Sequence, residues 1–158
     1  MLKISLMEFF TRTIPESFLF VLTGYLFAKK NIDKKTYCTS SMVLAMCIYI
    51  IRMLPIHYGV HTIINIIICI LIIATLNKIP VIQSITASLF AATILSICEL
   101  VNFFILESIL KLDIESMLNN SLTKVLNFIP SLILFALIIL IFYVSIYKNK
   151  KRDESVIG

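Results

Sequence analysis

Four long runs of residues without a formal charge constrain what this chain can fold into. They are Thr36–Ile51, Met53–Asn77, Ile79–Cys98 and Val125–Tyr147, with 16, 25, 20 and 23 residues. A helix of about 20 apolar residues crosses the hydrocarbon core of a bilayer, and a charged residue at its centre costs about 2.5 to 3.5 kcal/mol. Each run is therefore predicted to be a transmembrane helix.

The composition excludes a water-soluble fold. Of the 158 residues, 59% are hydrophobic and 15% are charged, and the mean hydropathy is +1.00. An ordinary soluble domain has about 25% charged residues. Because a small domain leaves much of its surface exposed, this many apolar side chains would have to face water. We expect lipid to surround most of the protein.

A fifth span is predicted at Thr13–Ala28, where Pro15 suits a first helical turn and Glu16 lies near one end. The fold class is then all-α: a polytopic membrane helical bundle of about five transmembrane helices. The predicted spans lie near 13–28, 37–54, 60–77, 81–106 and 122–147. Together they leave short loops and tails, so residues 1–158 are expected to form a single integral membrane domain.

Two segments outside the spans are also predicted to be helical. Met1–Arg12 has apolar residues interspersed with charges, which suits a short helix lying in the membrane interface. The alternative is that it extends the first span. The longest loop, Glu107–Lys124, has apolar residues among its charges and is predicted to hold an extracellular surface helix.

The distribution of Lys and Arg predicts the orientation. Nine of these residues fall on one side of the five spans, in Lys29–Lys35, at Lys78 and in Lys148–Arg152, and five fall on the other. Basic residues favour the cytoplasmic side. We therefore expect a multi-pass protein of the cell membrane, with its N-terminus outside and its C-terminus in the cytoplasm. The net charge of +5 then reflects topology, and no nucleic-acid partner is expected.

Three ionisable residues interrupt the predicted spans. The topology places Glu16, Arg52 and Glu99 in the outer half of the membrane. Intramembrane charges are costly and usually pair with each other or line a wet cavity, and one Arg can bind two carboxylates. The sequence therefore predicts a cluster in which Arg52 lies between Glu16 and Glu99. Its role remains open between a ligand site and a structural pin.

Next to Arg52 lies a short connection that contains His57 and His61. Two histidines four residues apart resemble a metal pair, but a metal site needs three or four ligands, and no further Cys or carboxylate follows at a matching spacing. We expect these histidines to form hydrogen bonds at a helix entrance, beside the ionisable cluster. No metal and no cofactor are predicted.

The four cysteines lie in or beside the predicted helices. No CxxC spacing occurs among Cys38, Cys47, Cys69 and Cys98, and we interpret them as small apolar side chains. The sequence also contains no phosphate-binding glycine loop, catalytic triad spacing or metal motif, so we do not expect an enzyme.

In the fourth span, Ser84, Ser88, Ala92 and Ser96 form a stripe of small residues that predicts close helix packing and a central position.

Several short motifs carry a resemblance. Ile14–Glu16 opens the first span, Arg52–Ile56 and His61–Ile63 flank the second connection, Glu99 lies in the fourth span, and Ile129–Pro130 lies in the fifth. This pattern resembles clostridial-type multi-span sensor modules, which are similar to the membrane half of accessory-gene-regulator-type quorum-sensing histidine kinases. The resemblance implies reception of an extracellular peptide or small ligand and action through a separate sensor kinase. Only 11 residues follow Tyr147, without a phosphoacceptor helix or ATP-binding domain.

Two classes of function follow. The first is an integral membrane sensor or regulatory module that receives an extracellular signal and acts through a cytoplasmic or membrane partner, such as a kinase or a second copy of the chain. The second is a small transporter, channel or substrate-binding subunit that uses the outer Glu/Arg/His cluster. A transporter needs a polar path to the inner face, but the polar residues in the inner halves of the spans are mainly Ser, Thr and Asn, with no acidic relay. The first class is favoured.

Overall fold

Five α-helices make up most of the described structure. The computed structural model describes residues 9–53, 58–108 and 121–156. A π-helical turn, Phe9–Thr13, leads directly into α1, Ile14–Ala28. The other helices are α2 (Lys34–Met53), α3 (Tyr58–Thr75), α4 (Val81–Ser108) and α5 (Ser121–Val156). No strand occurs in these ranges, so the all-α prediction is confirmed for the described part of the chain.

Three of the helices contain segments long and apolar enough to cross a membrane. These segments are Lys34–Met53, Val81–Ile105 and Ile129–Ile146, while the apolar part of α3, Val60–Thr75, is shorter. Large apolar side chains cover the outer surface, and Ile82, Leu100 and Phe104 are 79%, 68% and 68% exposed. Such a surface is stable in lipid and not in water.

The helix boundaries differ from the predicted ones for local reasons. Helix α2 begins three residues early because the Asp33 carboxylate accepts hydrogen bonds from the Lys35 amide at 3.4 Å and the Thr36 hydroxyl at 2.6 Å. Helix α1 ends at Ala28 because Lys29 adopts a left-handed conformation, with φ of 49°. Helix α5 continues past Tyr147 to Val156, since no Gly or Pro interrupts that segment.

The two predicted helices outside the spans lie largely beyond the described residues. Of Met1–Arg12, the structure describes Phe9–Arg12, which belong to the π-helical turn that continues into α1. This continuity agrees with the alternative of an extended first span. The predicted surface helix falls mostly on 109–120, outside the described ranges, and its flanks belong to α4 and α5.

Helix α1 occupies the centre of the packing. It contacts all four other helices, whereas α4 packs against α1, α3 and α5. The fourth span, for which a central position was predicted, thus packs against three of the other four helices, and the first span packs against all four. In α4, Ser84, Ala87, Ser88 and Ala91 are buried, but Ser96 is exposed. The core between the helices contains fully buried large side chains: Val21, Leu44, Ile73, Phe135 and Ile139.

One end of the bundle is joined by hydrogen bonds to Asn77, in the turn between α3 and α4. The Tyr25 hydroxyl donates to Asn77 Oδ1 at 2.9 Å, and the Ser40 hydroxyl donates to the same oxygen at 3.1 Å. Lys30 Nζ donates to the Asn77 carbonyl at 2.7 Å. We call these four residues the Asn77 junction. We call the same end of the bundle the lysine end, because it also carries Lys29, Lys34, Lys35 and Lys78.

Candidate functional site

The opposite end of the bundle contains four charged side chains. The π-helical turn places Arg12 one turn before Glu16, and Arg12 Nε lies 3.8 Å from Glu16 Oε2. Arg12 Nη2 also donates a hydrogen bond to Glu99 Oε1 on α4. Arg52 Nη2, at the end of α2, lies 3.8 Å from Glu16 Oε2. Arg12, Glu16, Arg52 and Glu99 are called the charged cluster below.

The charged cluster is partly buried and electrically balanced. Glu16 is 6% exposed, whereas the side chains of Arg12 and Arg52 are about a quarter exposed, at 23% and 24%. The Glu99 side chain is 33% exposed. Two cations and two anions leave no formal net charge. A buried carboxylate is stabilised here by two guanidinium groups, and removing either would leave charge uncompensated in a low-dielectric setting.

The sequence predicted three members of this cluster but not its central residue. Glu16 and Arg52 meet as expected. Glu99, however, forms its ion pair with Arg12. Arg52 forms an ion pair with Glu16 and none with Glu99. The three residues of the predicted cluster therefore lie at one end of the bundle, but Arg12, and not Arg52, is the guanidinium that pairs with both carboxylates. Arg12 was assigned to a flanking segment, although its spacing of four residues from Glu16 is a signal that a continuous helix would pair them.

Of the two predicted histidines, the structure describes His61. It lies in the first turn of α3, where its Nδ1 is buried without a hydrogen-bond partner. Two further atoms are buried without a hydrogen-bond partner: Asn65 Oδ1, one turn further along the helix, and Thr13 Oγ1 just before α1. Neither Asn65 nor Thr13 was singled out from the sequence. His57 lies outside the described residues.

A close helix contact places Asn65 at the level of Glu16. A Cβ atom added to Gly24 of α1 would lie 2.9 Å from Ile73 Cγ2 of α3, so these two parallel helices meet there. Glu16 and Asn65 each come eight residues before this contact, which is about 12 Å along a helix at 1.5 Å per residue. The unpartnered polar atoms of α3 and the charged cluster therefore lie at the same end of the bundle.

The described residues contain no group of three or more His, Cys, Asp and Glu suited to a metal ion. The four cysteines are free; Cys69 and Cys98 are buried in the core, and Cys38 is exposed. The Ser88 hydroxyl donates to Cys69 Sγ at 3.4 Å, which gives that buried hydroxyl a partner inside the core.

Three buried polar atoms at this end of the bundle have no hydrogen-bond partner among the described residues. Thr13 Oγ1, Asn65 Oδ1 and His61 Nδ1 are polar atoms that a water molecule or a polar ligand would satisfy. The ion pairs connect α1 to α2 and to α4, so a ligand that competes for one of them changes how these helices are held together.

A comparison of the chain with protein-family models, with curated proteins and with solved structures finds no match.

Proposed function

We propose that this chain is a multi-pass membrane sensor or regulatory module that receives an extracellular signal at the charged cluster and acts through a partner. In this proposal the five helices are five spans, with the N-terminus outside and the C-terminus in the cytoplasm. The partner is a separate kinase or a second copy of the chain.

The lengths of the helices support five spans. The continuous helical segment from Phe9 to Ala28 has 20 residues, and α3 has 18. At about 1.5 Å per residue an 18-residue helix measures about 27 Å, close to the hydrocarbon thickness of about 30 Å. The exposed apolar surface of α3, with Ile63 and Leu71 more than half exposed, also suits contact with lipid.

The orientation rests on charge. The lysine end and the basic segment Lys148–Arg152 hold nine of the 14 Lys and Arg residues. Assigning these nine residues to the cytoplasm places the charged cluster near the extracellular face. A ligand from outside would then meet the cluster without crossing the bilayer.

The observation that carries the proposal is the combination of ion pairs and unpartnered polar atoms at one end of the bundle. Arg12 and Glu16 tie the start of α1 to α4 and α2, and the buried atoms of His61 and Asn65 lie nearby on α3. Four helices therefore contribute to one polar region. A signal bound there has contact with elements whose relative positions it can change.

The core favours regulation over transport. Between the charged cluster and the Asn77 junction, Val21, Leu44, Ile73 and Phe135 are fully buried. The hydroxyls of Ser17 and Thr23 donate to carbonyl groups of their own helix, at 2.7 and 2.8 Å, and so do not extend a polar path. In contrast, α5 offers a mechanical output, because it continues about ten residues, or about 15 Å, beyond the apolar segment that ends at Ile146.

A small transporter or substrate-binding subunit is the second candidate. The unpartnered Thr13 Oγ1, Asn65 Oδ1 and His61 Nδ1 favour it, because polar atoms without partners are what a bound solute would satisfy. A transporter would then open the apolar core during its cycle, whereas a sensor keeps it closed.

A deletion strain of the native host distinguishes the two. We expect its transcriptional response to its own spent culture medium to be lost, to return with the wild-type gene and not to return with Glu99→Gln. The matched control is Glu107→Gln, which removes a carboxylate eight residues further along the same helix. An intact response in the deletion strain would overturn the proposal, and so would solute flux through the purified chain in proteoliposomes.

A further inference from the structure

The lysine end presents lysine side chains from two loops that are held together. Lys30 Nζ donates to the carbonyl of Asn77, the residue before Lys78. This contact brings the loop after α1 next to the turn between α3 and α4. The loop that carries Lys29 and Lys30 is therefore joined to the turn that carries Lys78, although Lys78 comes 48 positions after Lys30 in the sequence.

These lysines have little local charge compensation. None of the ion pairs in the described ranges involves a lysine of this end. The acidic residue nearby, Asp33, accepts hydrogen bonds from the Thr36 hydroxyl and the Lys35 amide. A group of ammonium ions without carboxylate partners favours an anionic ligand.

Two of the three lysines occupy backbone positions that favour glycine. Lys29 and Lys78 have φ of 49° and 51°, and they are the two residues other than glycine with positive φ among the described residues. A side chain disfavours this left-handed conformation, in which Gly and Asn are the usual residues. Lysine at both sites therefore carries a backbone cost that glycine would avoid, which supports a role for the two side chains in binding.

The position of the lysines specifies the ligand. Leu76, Val81 and Ile82, on either side of Lys78, are 42%, 58% and 79% exposed. Lys78 thus borders the exposed apolar surface, and the polar headgroups of a bilayer would lie at that border. Lysine side chains beside a membrane attract anionic lipids, by an amount that falls off within a Debye length.

We propose that Lys29, Lys30 and Lys78 form a binding site for the phosphate group of an anionic phospholipid. This site lies at the opposite end of the bundle from the charged cluster. It requires that the protein be embedded in a bilayer, but it does not depend on the orientation, the signal or the partner of the proposed function.

The test uses the full chain in nanodiscs of phosphatidylcholine, with and without phosphatidylglycerol. Wild-type protein should retain phosphatidylglycerol in excess of its share in the mixture and should unfold at a higher temperature when it is present. The double variant Lys29→Gly and Lys78→Gly should lose this excess, with lipid affinity about fivefold weaker for each lysine removed. In phosphatidylcholine alone it should unfold at a higher temperature than wild type, because glycine relieves both backbone positions.

Two controls make the outcome specific. Lys34→Gln with Lys35→Gln removes the same charge from the first turn of α2, at the same end, and should keep most of the lipid effect. Lys29→Arg with Lys78→Arg keeps the charge and should also retain it. If the Lys34 and Lys35 variant loses as much as the glycine variant, the attraction is a diffuse surface potential and the proposal is overturned.

A third control uses inorganic phosphate to distinguish a lipid headgroup from a free anion. Added to protein in phosphatidylcholine nanodiscs, it should leave the unfolding temperature unchanged, because the site needs a phosphate group held at the membrane surface. A stabilisation by inorganic phosphate equal to that by phosphatidylglycerol would overturn the assignment to lipid. If the double glycine variant does not insert, Lys78→Gly alone tests the same site with half the change in charge.

Discussion

Arg12 donates a hydrogen bond to Glu99 although 87 residues separate them in the sequence. The same guanidinium lies 3.8 Å from Glu16, one turn further along the chain. One side chain at the entrance of α1 thus connects the central helix to the far end of α4. This contact joins helices at the end of the bundle that contains the charged cluster, as the Asn77 junction does at the lysine end.

Replacing Arg12 should therefore destabilise the protein more than replacing Arg52. Arg12→Gln removes the ion pairs to Glu99 and to Glu16, while Arg52→Gln removes the ion pair to Glu16. We expect Arg12→Gln to cost about 2 to 3 kcal/mol, less than a fully buried pair because both side chains are partly exposed. The free energy of unfolding in detergent, measured for both variants, tests this order.

A double-mutant cycle separates the contact from general effects of the substitution. Glu99→Gln should cost less in the Arg12→Gln background than in wild type, because the charge it removes has already lost its partner. Equal costs in the two backgrounds would show that Arg12 and Glu99 do not interact.

The sequence was sufficient for the helices and for part of the charged cluster. Runs such as Ile79–Cys98 are uncharged because charge is costly in lipid, so helix positions follow from composition. The same cost made Glu16, Arg52 and Glu99 conspicuous. The partner of Glu99 was missed because it depends on whether the helix continues through Phe9–Thr13, a matter of a single turn.

The contacts between helices could not be predicted from the sequence, for another reason. Gly24 meets Ile73, and Tyr25 meets Asn77, through the rotation and relative height of whole helices. Neither quantity is encoded in a local pattern, since an apolar helix in lipid is hydrophobic on every side. The stripe of small residues on α4 indicated close packing, but the helix that contacts all the others is α1.

The contact between Gly24 and Ile73 predicts a steric effect. In Gly24→Ala, the new Cβ would lie 2.9 Å from the Cγ2 of a fully buried, β-branched side chain that has little freedom to move. We expect a loss of about 1 to 3 kcal/mol, typical of overpacking. The thermal unfolding temperature of the purified variant measures it. In an Ile73→Ala background the same change should cost much less, and an equal cost there would contradict the contact.

Asn77 should be more sensitive than either of its hydroxyl partners. Tyr25→Phe removes its hydrogen bond to Asn77, for about 0.5 to 1.5 kcal/mol. Asn77→Ala leaves the Tyr25 hydroxyl without this acceptor and also removes one of the two acceptors of Ser40, which keeps the Tyr37 carbonyl at 3.1 Å. We expect the Asn77 variant to lose more stability than Tyr25→Phe, because a buried hydroxyl without an acceptor costs more than its removal. If its unfolding temperature matches that of Tyr25→Phe, the junction does not act as a unit.

Asp33 predicts a pH dependence at the start of α2. The hydrogen bond from the Thr36 hydroxyl lowers the pKa of the Asp33 carboxyl below its ordinary value, so the folded state prefers the ionised form. This contribution is present above the unfolded pKa of about 3.9 and is lost as the pH falls through the lowered folded value. Asp33→Asn keeps a capping oxygen but does not titrate.

The difference in unfolding temperature between wild type and Asp33→Asn should therefore be constant at neutral pH and shrink in the acid range below about pH 5. Every other titratable group is present in both proteins, so the contributions of those groups cancel in this comparison. A difference that stays the same down to the lowest pH at which both remain folded would exclude the capping interaction as its source.

Reporter fusions test the proposed topology. With five spans, fusions after Lys35 and after Arg152 should report the cytoplasm, and a fusion after Asn120 should report the outside. The reason is the excess of Lys and Arg, nine against five, beside the first two positions. Replacing Lys29, Lys30, Lys34 and Lys35 with Gln removes four of those nine basic residues and leaves five on each side. The Lys35 fusion should then report a mixed orientation. Termini that report the same compartment would require an even number of spans and would contradict both the count and the orientation.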